Sequence, residues 1–141
     1  MPSSIARDNF ETILLVEDDS AILNLVQQLL RRAGFQVLTA ASGSEAMRAE
    51  AACSGVIHLL LSDIMMPDQA GPELAAALRR RRPDMLVMLM SGYPNGAMLV
   101  LNHGWHFIQK PFLPAFLLEK VTDLLHTAVP DQGVDGFDPR T

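Results

Sequence analysis

Ile13-Leu14-Leu15-Val16-Glu17-Asp18-Asp19 holds four apolar residues and then, with no transition, three acids. An apolar run without alternation is the mark of a strand covered on both faces, as in a parallel sheet. The acids then fall where that strand stops. Outward from here the same cycle recurs. Ile22, Val26, Leu29, Leu30 and Ala33 return at helical spacing, and Gly34 is a natural terminator. Phe35 to Thr39 alternates as an edge strand does. Ser42 opens a second helix, with Glu45 placed for a capping box, and that helix ends near Gly55. Val56 to Leu61 reads as a buried strand ending at Ser62-Asp63, followed by a loop from Met66 to Gly71. Pro72 to Arg82 reads as a helix with Pro72 in its first turn and Pro83 as its stop. Met85 to Met90 is a fourth strand ending at Ser91-Gly92, Tyr93 to His103 a short helix, and Trp105 to Gln109 a fifth strand ending at Lys110-Pro111. Leu117, Val121, Leu124 and Ala128 give the last helix one apolar face.

Five strands alternating with five helices predict an α/β fold with right-handed crossovers, its parallel sheet doubly wound. The domain is read over 11–128, after a flexible leader at 1–10 and before a disordered tail or linker at 129–141. A chain of 141 residues, 49% apolar, fits one domain with a real core. Its net charge of −5 argues against nucleic-acid backbone as the main partner and suits a divalent-cation site. Cys53 is the only cysteine, as expected in a reducing compartment. Met1 to Asn9 carries no apolar signal core, and apolar runs of about six residues are far short of a membrane span. A cytoplasmic protein with no membrane span is expected.

The chemistry-bearing residues stand where strands end: Glu17 and Asp18 after the first, Asp63 after the third, Ser91 after the fourth, Lys110 after the fifth. In a doubly wound sheet these ends share one edge, where ligands bind. With strands one and three adjacent, Glu17, Asp18 and Asp63 converge. Three carboxylates repel unless a cation or protons intervene, and oxygen-only ligands suit Mg2+. Asp63 is then a nucleophile able to form an acyl phosphate, with Lys110 balancing charge and Ser91 bonding a phosphoryl oxygen.

These segments, with Ser62-Asp63-Ile64-Met65-Met66-Pro67, Gly71, Ser91-Gly92-Tyr93 and Phe107-Ile108-Gln109-Lys110-Pro111-Phe112, closely resemble the receiver domains of bacterial two-component response regulators. The resemblance covers about 12–128. It implies the flavodoxin-like strand order 2-1-3-4-5 and makes Asp63 the acceptor from a sensor histidine kinase or histidine phosphotransfer protein. It assigns Glu17 and Asp18 to Mg2+, with Glu17 in a water-mediated role, and a backbone carbonyl of Met65 to the same ion. Ser91 matches the switch hydroxyl, Phe107 the switch aromatic, and Lys110 the lysine before a commonly cis Pro111. Phosphorylation is then expected to reshape the surface of the fourth helix, fifth strand and fifth helix. Met65 and Tyr93, bulky at variable positions, are expected to restrict water and slow dephosphorylation. The last two segments look like receivers attached to hybrid sensor histidine kinases. On this reading the chain is a switch module that catalyses only its own phosphorylation and dephosphorylation, and a parent hybrid kinase would be an enzyme.

Other readings fit less well. A dehalogenase-type phosphatase needs an acid two residues after its nucleophile, where Met65 stands. A flavin protein needs a phosphate loop where three acids stand. A pseudo-receiver scaffold would not need the full set of acidic, hydroxyl and lysine positions. Arg79 to Arg82 is read as lining a helix C-terminus, His103 and His106 as no zinc site, and the methionines as core filler. Ion binding is expected to alter Trp105 emission.

Overall fold

Each apolar run becomes a strand in the computed structural model, which describes residues 11–66, 68–92 and 104–127. The order is β1 (Thr12–Val16), α1 (Ser20–Arg32), β2 (Gln36–Ala40), α2 (Gly43–Ala52), β3 (Leu59–Asp63), α3 (Gly71–Arg81), β4 (Leu86–Ser91), β5 (His106–Gln109) and α4 (Pro114–Thr127). All strands pair in parallel, in the order β2-β1-β3-β4-β5. This is the flavodoxin-like order. Four of the five expected helices are described. The expected helix Tyr93 to His103, the leader, Ala128 and the tail at 129–141 lie outside the described residues, as do Pro67 and the modulating position Tyr93.

Alternation along the central strands splits the core in two. Leu14, Val16, Leu60, Val87 and Leu89 face α2 and α3, packing with Ala46, Leu74 and Leu78. Ile13, Leu15, Leu59, Leu61, Met88 and Met90 face α1 and α4, packing with Val26, Leu30, Leu117 and Val121. Met88 and Met90 are thus core filler, as expected. Ile13 to Val16 and Leu59 to Leu61 are all 0% exposed. At roughly 1.5–3 kcal/mol per buried side chain, β1 and β3 anchor the sheet, so the acids that follow them sit on firmly held backbone.

Local chemistry sets the element ends. Asp19 caps α1, accepting from the amides of Ala21 and Ile22 at 3.0 and 3.2 Å. Ser42 caps α2, accepting from Glu45 N at 3.2 Å, while Glu45 reaches back to Ala41 N rather than to the cap residue. β3 starts three residues later than the apolar run does. The His58 imidazole, not a strand carbonyl, accepts from Thr12 N at 3.0 Å, and Val56 is exposed. α2 stops at Ala52, short of Gly55. Arg82 donates there to the carbonyls of Glu50, Cys53 and Gly55. The arginine run does more than line a helix end: Arg81 and Arg82 grip Glu50, which is 3% exposed, at 2.6 and 2.8 Å. Buried charge is tolerated when paired and hydrogen-bonded in this way. The pairing joins α2 to α3 at the edge of the sheet where the strands begin.

Candidate functional site at the carboxyl edge of the sheet

The parallel register brings the strand ends together. Val16 pairs with Ser62, so Glu17 and Asp63, one residue on, stand side by side. Asp63 pairs with Met90 and Ser91 with Gln109. Main-chain bonds continue past the strands: Glu17 N donates to Ala40 O, Ile64 N to Met90 O, and Lys110 N to Ser91 O at 2.8 Å. Four separate segments are therefore fixed at one edge by backbone alone.

Glu17, Asp18 and Asp63 each offer a carboxylate oxygen within 4.8 Å of the others. Glu17 is buried, Asp18 exposed, and Asp63 between the two. Two unit charges at such a separation repel by about 3 kcal/mol at an effective dielectric of about 20. Lys110 relieves part of this. Its Nζ donates to Glu17 Oε1 at 2.6 Å and to Asp63 Oδ2 at 2.8 Å. Burial alone would lower the lysine's affinity for its proton, but the bonds to Asp63 and Glu17 outweigh it and hold Lys110 firmly charged. Glu17 goes the other way. Burial lifts its carboxyl above the ordinary range against the pull of Lys110 and of Asp19 N, which donates to Oε2 at 3.1 Å.

One lysine offsets one of three negative charges. The remaining excess, borne on hard oxygens, fits a divalent cation such as Mg2+. The second oxygen of Asp63, Oδ1, accepts from Met65 N at 3.2 Å, which orients the carboxylate. The Met65 side chain is 58% exposed. Ser91 is buried at the end of β4. The Lys110–Pro111 peptide is cis, as expected. Phe107 is half-buried on β5 and packs against the core under α2 and α3. Trp105 precedes β5 and is buried in that same core, a strand's length from Lys110.

Two contacts escaped the sequence reading. Gly71 packs so closely that a Cβ there would meet the carbonyl oxygen of Asp63 and Ile64 Cα, and its amide donates to Ile64 O at 2.7 Å. The motif included this glycine without its reason. Asp68, in the same loop, accepts from Gly43 N and Ser44 N at the start of α2, both at 2.9 Å. Nothing local in the sequence marks a contact between residues so far apart.

Comparison with known proteins agrees with this geometry. Residues 13–122 match the family described as the response regulator receiver domain. The chain is 34% identical over 117 residues to the sensor kinase CckA of Brucella abortus, a match covering 81% of this chain and 12% of that protein. Among solved structures, the receiver domain from the hybrid histidine kinase CckA is 37% identical, with a TM-score of 0.70, over 81% of this chain and 98% of that one. The response regulator TrrA of Thermotoga maritima, solved in complex with Mg2+-BeF, is 30% identical, with a TM-score of 0.72, over 82% and 100%.

Proposed function

Because the chain belongs to the response regulator receiver domain family, and is thus a receiver domain of a two-component system, we propose that Asp63 is its phosphoacceptor. The observation that carries this is the placement of one carboxylate, Asp63, within reach of two others and of Lys110 at a single sheet edge. Glu17, Asp18, Asp63 and the main-chain carbonyl of Met65 would hold Mg2+, which neutralises the carboxylates and the phosphoryl oxygens that approach them.

The remaining work falls to the chain's own groups. Met65 N and Lys110 Nζ fix the two oxygens of Asp63, so the nucleophile is aimed before the donor arrives. A carboxylate lone pair attacks phosphorus and an acyl phosphate forms on Asp63. The phosphorus–nitrogen bond of a phosphohistidine donor breaks, and the imidazole leaves with that electron pair. Lys110, kept charged, then faces a phosphoryl group instead of a carboxylate oxygen. The hydroxyl of Ser91 bonds a phosphoryl oxygen, Phe107 follows, and the surface of β5 and α4 changes its population of states. An apolar groove of about 430 Å3 beside Lys110, lined by Ile22, Leu25, Pro111 and Phe112, offers a protein donor a place to dock. Met65 screens the acyl phosphate from water.

The donor is a sensor histidine kinase or a histidine phosphotransfer protein, and the place of action is the cytoplasm. Among the described residues no helix is long and apolar enough to cross a membrane. Likeness to the receiver of a hybrid kinase favours a second reading, in which this chain serves as such a segment of a longer relay. The test is transfer from a phosphorylated histidine donor, read by intact mass. The wild type should gain one phosphoryl group and Asp63→Asn none. Equal incorporation in both would exclude Asp63.

A further inference from the structure

The loop from Ile64 to Gly71 is anchored to the sheet at its start and closed on itself at its end. Ile64 N donates to Met90 O at 2.9 Å, and Gly71 N closes back on Ile64 O at 2.7 Å. Its far side is tied to a helix by Asp68. Oδ1 and Oδ2 of that carboxylate take the first two amides of α2, those of Gly43 and Ser44. The packing agrees with the bonding, because a Cβ on Gly43 would stand 2.8 Å from Gln69 Cβ. α2 does not need a distant residue to begin, since Ser42 already caps it from within. Helix amides attract a carboxylate, and those of Ser44 and Gly43 hold the Asp68 carboxyl below its ordinary range. The tie therefore persists through neutral pH.

We propose that Asp68 is a positioning residue: by tying the acceptor loop to the first turn of α2, it sets the Met65 main chain where the cation site needs it. This rests on the reading of Glu17, Asp18, Asp63 and the Met65 carbonyl as that site. Met65 sits between the anchored Ile64 and the tied Asp68, and its amide already bonds Asp63. With the tie gone, the loop is held only at its ends and the Met65 carbonyl loses its fixed direction. Ligand-orienting partners of this kind typically matter by about tenfold or more in metal affinity.

The test is Mn2+ binding followed by electron paramagnetic resonance, with no phosphoryl donor present. Asp68→Ala should weaken Mn2+ binding about tenfold. Asp68→Asn retains an oxygen that can accept one amide and should recover most of the affinity. Ser42→Ala removes a cap from the same turn without releasing the loop. It should lower the melting temperature and bind Mn2+ as the wild type does. Wild-type affinity in Asp68→Ala, whatever its melting temperature, would overturn the proposal, as would equal weakening in Ser42→Ala. A wild type that binds no Mn2+ would overturn the cation site itself and this inference with it.

Discussion

Replacing Gly71 with alanine tests how tightly the acceptor is built. The new Cβ would lie 2.9 Å from Ile64 Cα and 3.2 Å from the Asp63 carbonyl carbon, and nearer still to the carbonyl oxygen. All three are backbone atoms, so no side chain can swing aside. Overpacking of this kind costs about 1–3 kcal/mol. Alanine also restricts the unfolded chain, which returns about 0.4–1 kcal/mol. The expected net loss is about 1–2 kcal/mol, or roughly 4–8 °C in melting temperature for a domain of this size. Relief of the contact must move either the start of α3 or the Asp63–Ile64 backbone, so phosphorylation from acetyl phosphate should slow by about threefold to tenfold. Gly55 supplies the control, since nothing lies within 4 Å of a Cβ there. Gly55→Ala should match or slightly exceed wild-type stability and phosphorylate normally. Thermal melts and time courses of incorporation read both variants. A Gly71→Ala protein that melts and reacts like the wild type would refute the reasoning.

Other expectations follow from the same contacts. Glu50→Ala strands Arg82 and should cost about 2–3 kcal/mol by urea denaturation, less than a fully enclosed pair because Arg81 is half exposed. Burial opposes ionisation of Glu50, but hydrogen bonds from Arg82 and Arg81 prevail and hold its carboxyl below the ordinary 4.5. The stability it contributes is present above that pH and lost as pH falls below it, so Glu50→Gln should flatten the acid limb of a stability–pH curve. Lys110→Met removes the cation between Glu17 and Asp63 and should lower stability in EDTA by about 2–4 kcal/mol. Added Mg2+ should then raise its melting temperature more than that of the wild type, and equal increments would count against the shared site. Met65→Ala opens the exposed side of Asp63 and should shorten the life of the phosphorylated form, followed as loss of label after the donor is removed.

The strand ends were legible because parallel strands covered on both faces leave unbroken apolar runs. Ile13 to Val16 is one, and the residue that breaks such a run marks the edge. That logic places Glu17, Asp63, Ser91 and Lys110 at one edge. It failed where a side chain replaces a main-chain partner. His58 accepts from Thr12 N, so the apolar Val56 and Ile57 belong to the approach to β3 and not to the strand. It failed also for contacts with no local period. Glu50 reads as one more acid on a polar helix, yet it is buried because two arginines from α3 meet it. Asp68 reads as a turn residue, yet its partners lie 25 and 24 positions earlier. Trp105 reads as the first residue of the fifth strand, which begins instead at His106.

The account rests on three carboxylates from two strand ends sharing one cation. Titration of the 15N-labelled protein with Mg2+, followed by amide NMR and reversed with EDTA, tests this most directly. Saturable shifts centred on residues 17–18 and 63–65, abolished in Asp63→Asn, are the predicted result. Shifts that never saturate, or that spread evenly over acidic surface residues and survive Asp63→Asn, would contradict it.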